Sequence, residues 1–300
     1  VNISYNPIDG AVLDNDAGTA GITITNSSFE FNGTSGGTAL TISSKGAVLL
    51  NNVSLAQNQQ AGLLALTTKS LTIKNSAFTY NGNLTNHALI VQPGSAGLVW
   101  IENSAFKNNY QDAIHIDLAG DVTLKNLTVE YSGRHGAYIN TCAPASSPGT
   151  ACNLLGNGNV TVTGSRFDGN HTSSSFQQDW EAGLYVWAKG AITLSDVSVQ
   201  NSGYYSTAIE NALTYGAYLY NADAPSAKNV AISKGVFNYN YQTGLYIRTR
   251  GSVLMNNISS SRNYVFAAAD PNIHGVDIDA SFGTGTVTLT VSSQDSLPVS

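Results

Sequence analysis

Hydrophobic residues recur along the chain as pairs of short alternating runs, and the stretch from Val230 to Ile247 shows the unit most clearly. Val230 and Ile232 form one alternating run, Leu245 and Ile247 form a second, and the pattern restarts at Val253, 23 residues after Val230. Alternation of apolar and polar residues is typical of a β-strand with one buried face. A period in the twenties, built from such runs and turn residues without a helical pattern, predicts a solenoid of stacked coils.

The same unit can be followed through most of the chain. The predicted coils open at Ile22, Val48, Leu71, Val99, Val122, Val160, Ile192, Val230 and Val253, and a last strand opens at Val287. Seven residues after most openings stands an apolar residue that we expect in the core: Phe29, Leu55, Phe78, Phe106, Val129, Phe167, Val199 and Phe237. Equal positions of successive coils should lie above one another, about 4.8 Å apart.

Two polar columns accompany this apolar column. Four residues after the openings stand Asn26, Asn52, Asn75, Asn103, Asn126, Asp196 and Asn257, and ten residues after them stand Asn32, Asn58, Asn81, Asn109, Asn170, Asn240 and Asn263. Asparagine tolerates the left-handed backbone of sharp bends, and stacked amides hydrogen-bond to one another. We interpret both columns as structural ladders rather than as a binding site.

Motifs of the form V-x-I-x-N-x-x-F-x-x-N followed by G-x-x-I resemble the right-handed parallel β-helix repeats of the pectate-lyase-like superfamily. The resemblance extends from Ile22 to Val291. It implies an all-β fold, a right-handed parallel β-helix of about ten coils with loop insertions at two corners, formed as a single domain over residues 1–300. The superfamily includes polysaccharide lyases and hydrolases, phage tailspikes and adhesins, so the resemblance implies a fold and not one activity.

Composition narrows the possible partners. Charged residues make up 11% of the chain, against about 25% in an average soluble domain, and such a low content is common in secreted and cell-surface β proteins. A net charge of -6 with scattered Lys and Arg argues against a nucleic-acid partner, which needs clustered basic residues. The apolar runs are shorter than the ~20 residues of a spanning helix, so we expect no membrane insertion.

Two further features point to the extracellular space. Cys142 and Cys152 flank a Pro/Ser/Gly-rich loop, and we predict a disulfide rather than two free thiols, which would place the chain in an oxidising compartment. Ile3 and Asn6 fit the core and ladder positions of a coil that begins before Val1. The chain is therefore expected to be a segment of a larger extracellular or cell-surface protein.

Several coils carry excess chain at two corners, and loops from neighbouring coils of a solenoid often form a binding surface. Between these corners, the outward positions of the second strand carry the set that we call the aromatic strip: Tyr138, Tyr185, Trp187, Tyr218, Tyr220, Tyr246 and Arg248. We expect the strip to be exposed. Aromatic faces and phenol hydroxyls suit sugar rings, but a ladder covered by the inserted loops and an interface with another protein chain both remain open.

An enzymatic alternative depends on carboxylates near the strip. Glycoside hydrolysis needs a carboxylate pair, and lyase chemistry needs a cation and a base. Candidate acids or bases are Asp117, Glu181 and Glu210, with Asp112, Asp179, His115 and His135 nearby. Polygalacturonase-like members of the superfamily carry N-T-D, D-D, G-H-G and R-x-K segments, and this chain departs from every one.

Calcium could be held by Asp9, Asp14 and Asp16 or by the aspartates between positions 270 and 279. Turn-forming roles are favoured for these residues, and no cofactor is expected. Our first hypothesis is therefore an extracellular structural or adhesive module of a surface or filament protein that binds glycan or other protein chains through the aromatic strip. The alternative is a polysaccharide lyase or glycoside hydrolase acting in the same groove.

Overall fold

A computed structural model describes residues 1–67, 69–92, 97–143, 148–152, 155–171, 181–203, 214–263 and 274–290. The strands of this part of the chain are β1 (Asn2–Ser4), β2 (Ala11–Asn15), β3 (Ile22–Glu30), β4 (Leu40–Ser44), β5 (Ala47–Ala56), β6 (Leu63–Thr67), β7 (Ser70–Lys74), β8 (Ala77–Thr79), β9 (Leu89–Val91), β10 (Leu98–Glu102), β11 (Ala105–Lys107), β12 (Ile114–Asp117), β13 (Val122–Lys125), β14 (Thr128–Glu130), β15 (Ala137–Asn140), β16 (Val160–Thr163), β17 (Arg166–Asp168), β18 (Glu181–Trp187), β19 (Ile192–Gln200), β20 (Thr214–Tyr220), β21 (Val230–Val236), β22 (Thr243–Arg248), β23 (Val253–Asn256), β24 (Val276–Asp279) and β25 (Val287–Thr290). Among the described residues no helix is long and apolar enough to cross a membrane.

The strands form two parallel sheets, and each coil contributes to both. The first, 15-stranded sheet runs from β1 and β3 to β25, and the second, 10-stranded sheet contains β2, β4, β6, β9, β12, β15, β18, β20, β22 and β24. In the first sheet the predicted coil openings pair in order: Ile22 with Val48, Val48 with Leu71, Leu71 with Val99, and so on to Val253 with Val287. The chain is thus a parallel β-helix, and the predicted register is confirmed.

The interior of the β-helix is apolar because the inward positions of both sheets meet there. Seven of the eight predicted core residues are fully buried and Phe29 is 3% exposed. The rings of Phe78 and Phe106 stack in neighbouring coils with centroids 4.6 Å apart. Because each inward side chain lies above its equivalent in the previous coil, the alternating pattern of the sequence becomes one continuous core.

The asparagine ladders are confirmed at both bends. In the buried ladder the Asn58 side-chain amide donates to Asn81 Oδ1 at 2.8 Å, and the Asn81 amide donates in turn to the Leu55 carbonyl oxygen at 2.7 Å. In the exposed ladder Asn52 Nδ2 donates to Asn26 Oδ1 at 2.8 Å, and both residues have positive φ. The buried ladder therefore bonds side-chain amides both to one another and to the backbone, whereas the exposed ladder joins the side-chain amides of successive coils.

The predicted disulfide joins Cys142 to Cys152 at the corner that follows β15, with a Cα–Cα distance of 4.3 Å. Cys142 is fully buried, and both half-cystines pack in an apolar cluster outside the main core. That cluster lies on the outer face of the second sheet, where the sequence places the aromatic strip.

Candidate functional site

The aromatic strip forms along strands β15, β18, β20 and β22, which pair in register. Tyr138 pairs with Tyr185, Tyr185 with Tyr218, and Tyr218 with Tyr246. Their rings stack with centroids 5.0, 4.9 and 5.1 Å apart and interplanar angles of 13°, 11° and 10°. The strand alternation therefore predicted correctly which side chains share this face.

The neighbouring outward column pairs Asn140 with Trp187, Trp187 with Tyr220, and Tyr220 with Arg248. The Arg248 guanidinium lies 5.6 Å from the Tyr220 ring centroid and its Nε lies 3.4 Å from Asp279 Oδ2. Arg248 therefore bridges the aromatic end of the strip to an acidic residue of β24.

The expectation that the strip is exposed is wrong. Trp187 and Tyr218 have no exposed surface, Tyr185 and Tyr220 are nearly covered, and Tyr138, Tyr246 and Arg248 are half-buried. The rings cover one another and pack with the disulfide and three further apolar residues, Ala182, Tyr215 and Ala222. Outward direction on a sheet does not guarantee exposure when a second layer packs there. The strip is a second hydrophobic core, with no free aromatic face at its centre.

Burial changes the acidity of these phenols. Loss of solvent raises the pKa of Tyr185 and Tyr218 well above the usual range, and neighbouring tyrosines add to the effect. Burial also raises the pKa of Tyr220 to about 12, with a further contribution from Asp223, whose Oδ1 accepts a hydrogen bond from the Tyr220 hydroxyl at 3.0 Å. These tyrosines remain neutral at physiological pH.

The ring stack continues past Tyr138 into a polar group. The imidazole of His115 stacks on Tyr138 with centroids 4.6 Å apart, and His87 stacks on His115 at 4.2 Å. The Nδ1 atoms of His87 and His115 lie 3.0 and 2.7 Å from the same oxygen, Asp112 Oδ2. Two neighbouring coils thus bring two imidazoles to one fully buried carboxylate.

A second carboxylate completes this polar group. His115 Nε2 lies 3.2 Å from Asp117 Oδ2, and Asn140 Nδ2 donates to Asp117 Oδ1 at 2.8 Å. Burial opposes protonation of His115, but hydrogen bonds to Asp112 and Asp117 outweigh it and raise its pKa to about 9. The pKa of Asp112 lies well below its usual value, because its interactions with the histidines overcome desolvation. The carboxylates of Asp112 and Asp117 therefore favour a positive charge at this position.

A separate buried ion group lies at the start of β18. Glu181 is fully buried, lies 3.4 Å from Arg134 Nε and contacts His171 Nε2. His135 is bound to the Ala182 backbone at 3.2 Å, and burial lowers its pKa to about 3, so this imidazole is neutral. These contacts hold one coil to the next, and they leave Glu181 no exposed surface.

The structure does not bring the candidate catalytic residues together. Asp117 interacts with His115 and Asn140, whereas Glu181 interacts with Arg134 and His171. Glu210 and Asp179 lie outside the described residues. Glycoside hydrolysis needs two carboxyl groups that reach one glycosidic bond from solvent, and the arrangement of Asp117 and Glu181 does not offer this.

The aspartates considered for calcium near the first coils act at turns. Thr38 N donates to Asp9 Oδ1 at 2.7 Å, Asp16 N donates to Asp14 Oδ1 at 2.9 Å, and the Ser43 hydroxyl donates to Asp16 Oδ2 at 2.6 Å. Bonds of this kind stabilise loops and do not by themselves make a cation site.

A row of four exposed tyrosines and one half-buried phenylalanine lies at a different place, which the strand alternation did not predict. We call this set the corner row: Tyr5, Phe31, Tyr80, Tyr131 and Tyr239. Each directly precedes the second ladder position, and each has a left-handed backbone with φ between 56° and 60°. The four tyrosines are 73%, 58%, 54% and 41% exposed. A column of aromatic residues one position before the ladder asparagine was the signal that could have revealed it.

The paired sheets, the stacked coils and the bonded ladders define a right-handed parallel β-helix protein. Residues 9–147 match the family model described as "Right handed beta helix region", and the same coil register continues beyond them from β16 to β25. No curated protein and no solved structure matches this chain. The match describes the fold, so an activity has to be argued from the residues themselves.

Proposed function

We propose that this β-helix is a structural and adhesive module that acts outside the cell and binds an extended glycan chain along the corner row. The observation that carries the proposal is the presence of exposed tyrosines at a strained backbone position. A bulky residue with a left-handed backbone costs about 1–3 kcal/mol. Other coils place Asn108, Gly169 and Asn201 at the same corner with positive φ, so the turn itself needs no aromatic residue.

The spacing of the row supports an extended polymer as the ligand. Backbone hydrogen bonds join the corners of successive coils, as from Phe31 N to the Ala56 oxygen and from Tyr80 N to the Lys107 oxygen. Phe31, Tyr80 and Tyr131 stand on every second coil, and coils about 4.8 Å apart place them about 10 Å apart. This spacing resembles the length of a disaccharide unit in an extended glycan. Every second sugar of the glycan would therefore lie against one aromatic side chain of the corner row.

The local environment of the rings also supports a flat platform. Tyr5 and Phe31 stack nearly parallel, with centroids 4.9 Å apart and an interplanar angle of 4°. Gly169 leaves room for the Tyr131 ring of the preceding coil, since a Cβ at Gly169 would lie 2.7 Å from that ring. Sugar rings pack their C–H groups against such aromatic faces while phenol hydroxyls hydrogen-bond to them.

The extracellular part of the proposal rests on the disulfide and the composition. A disulfide persists in an oxidising compartment, and Cys142–Cys152 is buried within the second apolar cluster. The few charged residues of the chain suit a module whose stability depends on packing and amide ladders. In this proposal the aromatic strip has a structural role, and the ligand lies on the corner row.

Binding can be tested with the purified chain and a panel of soluble neutral and anionic polysaccharides, measured by affinity electrophoresis and calorimetry. We expect at least one polymer to bind, and we expect Tyr80→Asn and Tyr131→Asn each to weaken it about tenfold, equivalent to roughly 1.4 kcal/mol. Asparagine suits a left-handed backbone, so both variants should fold.

Gln57→Asn is the matched control because Gln57 stands at the same corner with φ 55° and carries no ring. It should bind like the native chain. Failure of every polymer to bind, or full binding by the variant carrying both tyrosine substitutions, would contradict the proposal.

A further inference from the structure

We propose that His87, Asp112 and His115 form a binding site for a divalent transition-metal ion such as Zn²⁺, and that Asp117 and Asn140 orient the ligands. One ligand atom from each of the first three residues lies within 4.8 Å of the other two. The site does not depend on glycan binding, because His115 lies on β12, and His87 and Asp112 lie just before β9 and β12, away from the corner row.

The donor atoms already lie within about 1 Å of the separations that one tetrahedral ion requires. Two atoms bound to such an ion at 2.0–2.2 Å are about 3.3–3.6 Å apart. His87 Nδ1 lies 3.0 Å and His115 Nδ1 lies 2.7 Å from Asp112 Oδ2. A small outward movement of the rings would admit the ion.

The donor types select the class of metal. Two imidazole nitrogens and one carboxylate oxygen suit zinc, copper, nickel or iron, whereas calcium and magnesium prefer sets made of oxygen atoms. Three protein ligands leave at least one coordination position for water. The side chains of His87 and His115 are 14% and 19% exposed, so an ion can reach them from solvent.

The second layer of contacts is the kind that orients metal-binding histidines. When His115 Nδ1 binds an ion, Nε2 carries the proton and faces Asp117 Oδ2 at 3.2 Å, forming a carboxylate–histidine–metal series. Asn140 holds Asp117 through a 2.8 Å hydrogen bond, and His135 N donates to the other oxygen of Asp112 at 3.1 Å. Each carboxylate is therefore fixed from the side opposite to the proposed ion.

The charges also favour a cation at this position. Asp112 has no exposed surface, and within the described chain its ion-pair partners are the imidazoles of His87 and His115. The Asp112 backbone N–H lies 3.2 Å from His87 Nδ1, and Asp112 Oδ2 lies 3.0 Å from the same nitrogen. The buried carboxylate and the two imidazole nitrogens therefore converge on one position, where the negative charge of Asp112 attracts a cation.

The test uses the full chain, untagged and freed of metal with a chelator, near neutral pH. We expect calorimetry and elemental analysis to show one Zn²⁺ per chain, with no displacement by excess Ca²⁺. Co²⁺ should give the visible absorption of nitrogen and oxygen coordination. His87→Gln and His115→Gln should each weaken Zn²⁺ binding by at least about a hundredfold, and Asp117→Asn by roughly ten- to a hundredfold.

His274→Gln is the control because His274 is exposed and lies next to β24, away from the cluster. It should leave the stoichiometry and affinity unchanged. Circular dichroism will establish that the histidine variants remain folded. These two variants test the metal site without a substitution at the fully buried Asp112. No Zn²⁺ bound by the native chain, or undiminished binding by the folded His87→Gln and His115→Gln variants, would overturn the proposal and leave a protonated histidine as the cation of this group.

Discussion

Removal of the central ring of the aromatic strip should strongly destabilise the protein, because this ring lies in a packed second core. Tyr218 has no exposed surface and stacks on Tyr185 and Tyr246 at 4.9 and 5.1 Å, with Tyr215 tilted against it at 5.2 Å. Replacing a fully buried aromatic residue by alanine costs about 3–5 kcal/mol. Each lost ring pair contributes roughly 0.5–1.5 kcal/mol of this. We therefore expect Tyr218→Ala to lower the free energy of unfolding by at least about 3 kcal/mol.

Tyr80→Ala provides the comparison, since it removes the same side chain from a position that is 58% exposed. A change at such a surface position should stay within about 1 kcal/mol. Urea unfolding followed by near-ultraviolet circular dichroism would measure both variants, with far-ultraviolet signals recorded in parallel because coils of a solenoid can unfold separately. A loss below about 1 kcal/mol for Tyr218→Ala would refute the view of the strip as a packed core.

Three further measurements test other parts of the structure. Burial raises the pKa of Tyr218, so the neutral phenol stabilises the folded state fully below about pH 10, the pH at which the unfolded phenol ionises. Above that pH the free energy of unfolding should fall by up to ~1.4 kcal/mol per pH unit. Tyrosinate absorbance from strip residues before unfolding would contradict this. Replacing both Cys142 and Cys152 by serine should lower the free energy of unfolding by about 2–3 kcal/mol. Equal urea midpoints for the oxidised native chain and the variant would show that the disulfide does not stabilise the fold. Asn81→Ala removes the four buried hydrogen bonds of this side chain, which join it to Asn58, Leu55 and Asn109, and should cost roughly 2–4 kcal/mol. Thermal unfolding unchanged from that of the native chain would show that the ladder is not needed.

The local sequence pattern predicted the coils because a parallel solenoid repeats the same environment at every turn. The opening residues from Ile22 to Val287, the apolar column at Phe78 and Phe106, and the ladder at Asn81 were all readable from the spacing of residues along the chain. Each position contacts its equivalents in the two neighbouring coils. One repeating pattern therefore specifies the strand direction, the strand register and the core residues together.

Properties that depend on the outer layer could not be read in this way. Alternation correctly placed Tyr185, Tyr218 and Trp187 on the outer face, but it cannot state what packs over that face. Their burial depends on side chains that come from other coils and corners, among them Cys142 and Ala222. Exposure is a property of the whole assembled surface, and the period of one strand contains no information about it.

The residue pattern alone predicts that this chain winds into a parallel β-helix with an apolar interior, asparagine ladders and a ring column on one outer face. The folded structure adds that the ring column is a closed core, that exposed tyrosines stand at the corner of Tyr80 and Tyr131, and that His87 contacts Asp112 near His115. The physical reason is distance along the chain. Repeating neighbours are encoded by one short period, whereas contacts between non-equivalent positions of different coils arise only when the coils are stacked and the corners closed.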